Sequence, residues 1–337
     1  MLKYLAFVAV ALVATAAEAQ TLKIATLAPE GHTWVKEMRE AGANIKARTA
    51  GRVEVKFFPG GVMGNADAVM RKMKLGQLQG GALTGAELTP VYRDASVYSL
   101  PFLFNDLAEV DYVRAKVDPL LRAGFEKSGM VAVGLSGGGF AYLMSTKPIA
   151  NKDDLRSTKV WVPQNDRIAQ VAFEKGGVNP IALPIGDVNT SLQTGLLETV
   201  GITTGGAIAF QWHTRVKFVV DLPLTYVMGV LVLDQKAFNR IAAADQPIVR
   251  EEFAQAFADM DAAGKRDNDS ARAALVKQGI VFKTPNAEEI GYWRGIGEQT
   301  LKQMLANNEI SKDLLDTIQK LKAEFRAKSV ATAGKAP

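Results

Sequence analysis

The sequence predicts an α/β protein of two lobes, each a mixed, mostly parallel sheet flanked by helices. Short apolar runs alternate with stretches of helical periodicity through residues 20–328, a pattern typical of a sheet covered by helices on both faces. The 337 residues, 48% of them hydrophobic, favour two domains. A helical pattern without an internal proline continues from Pro247 to Gly279. At about 1.5 Å per residue it spans about 50 Å, long enough to brace both lobes; the alternative is two shorter helices meeting near Gly264.

The first half of the chain supplies five of the predicted strands. Each is a short run of alternating or small apolar residues, and several end at glycine or proline. Helices are predicted where apolar residues recur every three to four positions after a cap such as Thr33. We expect a break near Pro119, because proline removes a helical hydrogen bond. The predicted strands are 21–27, 53–58, 80–84, 130–135 and 140–145, and the predicted helices are 33–50, 66–75 and 106–127.

The second half repeats this alternation after a polar linker at 147–157. We expect lobe I to comprise residues 20–138 and 229–270, and lobe II residues 139–228 and 271–328. The small-residue end, 329–337, is expected to be disordered. The predicted strands are 159–162, 199–202, 218–220, 227–234 and 280–282, and helices are predicted between 163 and 195 and at 247–279, 287–306 and 311–328.

The first 19 residues have the layout of a secretory signal peptide. Lys3 precedes an apolar run from Tyr4 to Ala17, and the small residues Ala17 and Ala19 follow as a cleavage signal. A retained membrane anchor is the weaker alternative, because the run is shorter than the roughly 20 residues of a spanning helix. We therefore expect export to the periplasm of a Gram-negative bacterium, with a mature chain that begins at Gln20.

Composition excludes several functional classes. The chain has no cysteine, which excludes disulfide bonds, thiolate catalysis and cysteine-ligated zinc. The net charge of +5 comes from scattered basic residues rather than from a basic patch, so nucleic-acid binding is not predicted. The sequence contains no HExxH, no EF-hand loop and no complete Walker pattern. We expect no metal and no cofactor.

One pattern is compatible with an enzyme. Residues 134–138, Gly-Leu-Ser-Gly-Gly, match G-x-S-x-G, and Asp187 and His213 follow in the chain order of α/β-hydrolases. A nucleophile elbow needs a helix directly after the serine, whereas residues 139–145 have the pattern of a strand. An esterase that uses Ser136 is therefore the weaker hypothesis, and the protein is not expected to be an enzyme.

An ordered series of segments carries a family resemblance. The segments GRVEVKFFPGGVMGN, LGQLQGGALTG, SLPFLFND, KSGMVAVG, STKPIANKDDLRSTKVWVP and NPIALPIGDVNTSLQTGLLETV together resemble the solute-binding proteins of tripartite ATP-independent periplasmic (TRAP) transporters, DctP type. The resemblance implies a two-lobed periplasmic binding protein that closes on a small organic anion and delivers it to membrane permease subunits. It also implies that the long helix crosses both lobes, and we expect a monomer. A sensor that presents its ligand to a receptor remains an alternative.

The chain departs from this family at one position. The family generally grips a ligand carboxylate with an arginine in a lysine–apolar–arginine–apolar–proline strand, and residues 159–163 read Lys-Val-Trp-Val-Pro. Trp161 therefore occupies the arginine position. An indole there can stack on an apolar ligand and donate one hydrogen bond; alternatively, Trp161 is a core residue. Arg167 is the nearest cation in the sequence to replace the clamp, although a solvated surface position is an equal alternative.

Other candidates follow predicted strands, at whose carboxyl ends open α/β sheets bind ligands. Thr203 and Thr204 stand before a glycine pair that permits close approach of a ligand to the backbone. Two tryptophans in one pocket would make it apolar. The candidate ligand-binding residues are Trp161, His32, Trp34, Thr84, Glu87, Phe140, Tyr142, Gln164, Arg167, Pro184, Thr203, Thr204, Gln211, Trp212 and Tyr226.

Overall fold

The computed structural model of the protein describes residues 19–333. The predicted signal peptide, apart from Ala19, and residues 334–337 lie outside the described part. No helix within that part combines the length and the apolar composition needed to cross a bilayer.

Eleven helices and nine strands, besides short 3₁₀ turns, form the described part of the chain. The strands are β1 Gln20–Thr26, β2 Val53–Phe58, β3 Gly80–Thr84, β4 Met130–Ser145, β5 Trp161–Pro163, β6 Ile181–Leu183, β7 Thr199–Ile202, β8 Phe218–Asp234 and β9 Val281–Lys283. The helices are α1 Thr33–Arg48, α2 Ala66–Lys74, α3 Leu107–Lys127, α4 Lys152–Arg156, α5 Arg167–Lys175, α6 Val188–Thr194, α7 Thr204–Ala209, α8 Gln235–Asn239, α9 Gln246–Lys277, α10 Ala287–Ala306 and α11 Lys312–Ala333.

One seven-stranded sheet passes through both lobes. Its order is β2-β1-β3-β8-β4-β7, with β9 beside β8, and β5 and β6 form a separate pair. Parallel pairings join β1 to β2, β1 to β3, β5 to β6 and β8 to β9, whereas β8 pairs with β3 and β4, and β4 with β7, in the antiparallel sense. The predicted mixed α/β class is confirmed.

The strands β4 and β8 are the connection between the lobes. The sequence predicts two separate strands in each of these regions, and that prediction is wrong, because each is one continuous strand of 16 or 17 residues. The pairing instead shifts at a bulge between Gly137 and Gly139, where Gly139 has φ +97°. A bulge accommodates the extra residue and bends the strand without ending it, so the glycines mark the crossing point between the lobes.

Apolar cores cover both faces of the sheet. In lobe I, α1 and α9 bury residues such as Met38 and Phe253 on one face, while α2, α3 and α11 bury Val113 and Ile318 on the other. In lobe II, α6, α7 and the end of α9 pack around the pair formed by Trp161 and Trp212, with Leu192 and Val200 beside them. A smaller cluster containing Leu155 and Trp293 covers the opposite face.

The helix α9 braces the two lobes, as its length predicts. It is continuous over 32 residues, or about 48 Å, and it contacts α1 in lobe I, β4 at the crossing and α7 in lobe II. Gly264 lies inside this helix, so the alternative of two shorter helices is wrong.

Three helix predictions need correction. The predicted break at Pro119 is absent: α3 runs through it, because Val113, Val117 and Leu121 hold its apolar face on the core, which offsets the lost hydrogen bond. The helix α11 packs against α3 and so lies on lobe I rather than lobe II. It also continues to Ala333, whereas disorder is predicted from Ser329.

Candidate ligand-binding cleft

A cavity of about 850 Å³ lies between the lobes where β4 and β8 cross. Gly137, Gly138, Val227 and Gly229 form part of its surface. Glycine is required at 229, because a Cβ there would lie 1.7 Å from the ring of Trp34. The cleft therefore combines exposed backbone at the crossing with walls supplied by both lobes.

The loop between β1 and α1 forms part of the lobe I wall. His32 caps α1: its Nδ1 accepts a hydrogen bond of 3.2 Å from the backbone N–H of Trp34, which leaves Nε2 to carry the ring proton. Burial lowers the pKa of His32, and the charge on Asp267 opposes this shift. At neutral pH His32 is therefore a neutral hydrogen-bond donor rather than a cation.

Glu87 and Thr84 follow β3 on the same wall. One carboxylate oxygen of Glu87 accepts hydrogen bonds from the backbone N–H and the hydroxyl of Thr84, at 2.8 and 2.9 Å. Burial raises the pKa of Glu87, while the two bonds from Thr84 act in the opposite direction. The sequence signal for this pair is its position after a strand of small residues.

Trp161 belongs both to the cleft surface and to the lobe II core. Its side chain is buried, its residue exposure is 3%, and it contacts Trp212 edge to face with ring centroids 5.2 Å apart. The indole N–H donates to the carbonyl of Leu183 at 2.9 Å. The predicted hydrogen bond from Trp161 to a ligand is thus wrong, since this donor already links β5 to β6; only the apolar indole lines the cleft.

Four polar side chains bridge the two lobes at the edge of the cleft; we call them the latch. Asn65 caps α2 and donates to Oε1 of Gln164 at 3.2 Å. Gln164 and Asn165 donate in turn to the two carboxylate oxygens of Asp67, at 3.0 and 2.7 Å. Asn165 adopts φ +70°, a left-handed conformation that asparagine tolerates better than most residues. The latch connects the start of α2 in lobe I with the residues that follow β5 in lobe II.

Helix α9 contributes two side chains that fasten the crossing point. Asp261 accepts hydrogen bonds from the backbone N–H of Gly137 at 2.6 Å and from the guanidinium of Arg114 at 2.8 Å. Seven residues later, Asn268 donates to the carbonyl of Gly138 at 2.8 Å and accepts from the N–H of Gly205 at 3.1 Å. One helix thereby holds β4 and the start of α7 together.

The structure brings eight of the predicted residues to the cleft and places the others elsewhere. Phe140 and Tyr142 lie on the same face of β4, opposite to the face of Ala141, because side chains alternate along a strand. They line a separate cavity of about 90 Å³ with Thr204 and Tyr226. Those at the cleft are His32, Trp34, Thr84, Glu87, Trp161, Gln164, Pro184 and Thr203.

The remaining three predicted residues make no cleft surface. Arg167 forms an ion pair with Glu309 at 3.6 Å and lines another cavity, so it does not replace the family arginine. Trp212 is 1% exposed because it packs on the inner side of Trp161. Gln211 precedes it with φ +60° and is absent from the cleft lining.

Sequence reasoning missed the latch residues Asn65, Asp67 and Asn165, and also Asp267 and Asn268 of α9; all of these except Asp67 line the cleft. Asn65 had a usable signal, since asparagine after Gly64 at the start of a helical pattern indicates a cap. Asn268 had none, because one polar residue in a long polar helix has no distinctive spacing.

The geometry expected for an esterase is not formed. Ser136 is fully buried inside β4, and the strand continues to Ser145 where an elbow requires a helix. Its hydroxyl donates to Asp261 at 3.3 Å, and Nδ1 of His213 contacts the carbonyl of Ala207. Within residues 19–333, no group of three or more acidic or histidine side chains is arranged to hold a metal ion.

Comparison with known proteins gives consistent results. A family model described as bacterial extracellular solute-binding protein, family 7 (DctP), matches residues 24–308. The 2,3-diketo-L-gulonate-binding periplasmic protein of Escherichia coli is 28% identical over 159 residues, which cover 46% of this chain and 47% of that protein.

Solved structures show the same fold. A TRAP periplasmic solute-binding protein from Desulfovibrio salexigens with bound orotic acid superposes with a TM-score of 0.83 at 20% identity, covering 90% of this chain and 99% of that one. One from Xanthobacter autotrophicus with bound β-D-galacturonate gives 0.82 at 22% identity, with the same coverage.

Proposed function

The chain belongs to family 7 of the bacterial extracellular solute-binding proteins, as the resemblance predicts, and from this premise we propose that it is the periplasmic receptor of a TRAP transporter. It captures a small organic acid or related solute in the cleft between its lobes and delivers it to the membrane permease subunits. Residues 1–19 direct its export. The observation that carries this proposal is the cleft itself: about 850 Å³ is within the usual range of about 300–1,000 Å³ for small-molecule sites.

Binding is coupled to closure of the lobes. The bulge at Gly137 and Gly139, which α9 holds through Asp261 and Asn268, is the pivot about which the lobes rotate. A ligand that contacts both walls favours the closed state by its differential affinity, and the latch then forms across the edge. The permease recognises the closed surface.

The relatives support an organic acid as the ligand, because they bind orotic acid, galacturonate or diketogulonate. In this chain, however, no lysine or arginine among residues 19–333 lines the cleft. The lining instead contains the N-terminal ends of α1 and α2, capped by His32 and Asn65, together with the acidic residues Glu30, Glu87 and Asp267. A helix N-terminus stabilises an anion by about 0.3–1 kcal/mol, and up to about 2 when partly buried, which is less than a bidentate arginine provides. We expect modest affinity for a carboxylate.

Thermal-shift screening of the mature chain tests the binding function. Orotate, galacturonate and succinate are compared with the corresponding uncharged amides. An acid at 100 times its dissociation constant stabilises the folded state by about 2.7 kcal/mol. Stabilisation by acids but not by amides supports the proposal, and stabilisation by amides alone would contradict the acid assignment. Deletion of the gene tests transport: loss of solute uptake separates a transport receptor from a sensor, whose loss leaves uptake unchanged.

A further inference from the structure

A second cavity, of about 170 Å³, lies behind Trp161, between lobe II and residues of lobe I such as Ala86 and Phe102; we call it the side cavity. Its lining is predominantly apolar and includes Leu143, Leu155, Phe173, Leu224 and Trp293. Empty apolar space inside a folded protein is destabilising, by about 24 cal/mol for each Å³ of a cavity made by mutation. An apolar space of this size in a protein that is otherwise close-packed is suited to an apolar occupant.

The side cavity adjoins the cleft. Thr84, Trp161, Pro163, Gly201 and Val227 line both spaces. Gly201 has no side chain and Thr84 is small, so this boundary leaves little material between the two spaces. A ligand in the cleft is thus the nearest molecule that can extend a group into the side cavity.

The loop that closes the side cavity is held in a strained conformation. Phe102, from the apolar segment Leu-Pro-Phe-Leu-Phe at 100–104, has φ +55°, which is unusual for a bulky residue. A hydrogen bond of 2.7 Å from its N–H to the carbonyl of Leu224 fixes this conformation, and the residue lines the cavity. Strain of this kind is retained at binding sites when the surroundings over-determine it. Phe102 is therefore held in a fixed position at the edge of the side cavity.

The volume indicates what the side cavity holds. An engineered apolar cavity of about 150 Å³ stays dry and binds benzene, and the side cavity is slightly larger. We propose that the side cavity is a subsite for an apolar group the size of a benzene ring on the ligand whose polar end lies in the cleft. This inference rests on the proposed function of the cleft and narrows its ligand to acids that carry a ring or a comparable branched group.

Matched ligands and one filled variant test the subsite. L-Lactate and L-3-phenyllactate share a polar end and differ by a phenyl group, and their affinities for the mature chain are compared by calorimetry. Burying the ring should strengthen binding of phenyllactate by at least about tenfold, even if only half of its apolar area is removed from water. Ala172 lines the side cavity and not the cleft, so Ala172→Leu fills the subsite. Ala254, on the exposed side of α9, provides the control Ala254→Leu, and Ala169→Leu replaces the first variant if that one does not fold.

The outcomes separate the subsite from the proposed function. Loss of the phenyl advantage in Ala172→Leu, with lactate affinity unchanged and the control like wild type, supports the subsite. Equal affinities of the two acids for wild type, or an advantage that survives filling, overturn it while the cleft keeps its function. If neither acid binds, the thermal stability of both proteins is measured with and without benzene. Stabilisation of wild type by benzene but not of Ala172→Leu supports the subsite, and no stabilisation of either protein overturns it.

Discussion

The latch makes closure testable without knowledge of the ligand. The carboxylate of Asp67 accepts one hydrogen bond from Gln164 and one from Asn165, both across the cleft. A net hydrogen bond contributes about 1 kcal/mol, and bonds to charged groups about 1.5–3. Because Asn165 is exposed, we use the lower figure, so Asp67→Ala should destabilise the closed state by about 2 kcal/mol. The closed-to-open ratio then falls about 30-fold. The variant also loses an acidic residue in the first turn of α2, but this affects open and closed states alike.

Spin-label distances measure this ratio directly. The chain has no cysteine, so Leu75→Cys in lobe I and Leu196→Cys in lobe II, at exposed positions, provide two unique labels. Double electron–electron resonance should show a population shift toward longer distances in Asp67→Ala. The control Asp259→Ala, on an exposed part of α9, should retain the wild-type distribution. If the two variants give the same distribution, the latch does not hold the lobes together and the reasoning fails.

Three further predictions concern stability, each measured by denaturant unfolding. Burial raises the pKa of Asp166 to about 6, from 3.8, so its contribution to stability is fully present below pH 3.8 and is lost as the pH rises through 6. Asp166→Asn does not titrate, so its free energy of unfolding relative to that of wild type should rise by up to about 3 kcal/mol between pH 4 and 7. A difference between the two proteins that does not change with pH would contradict this. Trp161→Phe keeps a ring but removes one of the two hydrogen bonds to the carbonyl of Leu183, which still accepts from the backbone N–H of Gln164 at 3.2 Å. A loss of about 0.5–1.5 kcal/mol in the free energy of unfolding is therefore expected, and an unchanged midpoint would show that the indole bond contributes nothing. Asn268→Ala removes the bonds to Gly138 and α7, with an expected loss of about 2 kcal/mol, whereas the exposed control Gln255→Ala should lose less than about 0.5.

Sequence patterns predict the elements whose signals are local. Helix α9 is such an element: its helical pattern continues without a proline after Pro247 and so predicts its length, and the length alone implies contact with both lobes. The long strands are the opposite case, because three consecutive glycines look like a turn in any local window. The pairing of β4 with β8 on both sides of Gly139 holds the strand together, and that pairing joins residues about 90 positions apart.

In the candidate site, too, features set by local sequence could be predicted and features set by long-range contacts could not. Residues that follow strands, such as Thr84 and Glu87, could be predicted because strand ends meet at one edge of the sheet. The latch could not, because Asp67 and Gln164 are nearly 100 residues apart and their contact depends on how the lobes close. Arg167 is a related case: its helix α5 begins beside the cleft, but its side chain pairs with Glu309 in a segment that packs from the other end of the chain.

The departure at Trp161 changes which end of a ligand each lobe can hold. The lobe II wall presents Trp161, Ile202 and Phe210, together with the side cavity behind the indole. The lobe I wall presents the polar groups of His32 and Glu87 and the N-terminal ends of two helices. An arginine on β5 would direct a carboxylate toward lobe II, whereas an indole there favours the apolar end of the ligand. We expect the polar end to face lobe I, where the neutral His32 can donate a hydrogen bond.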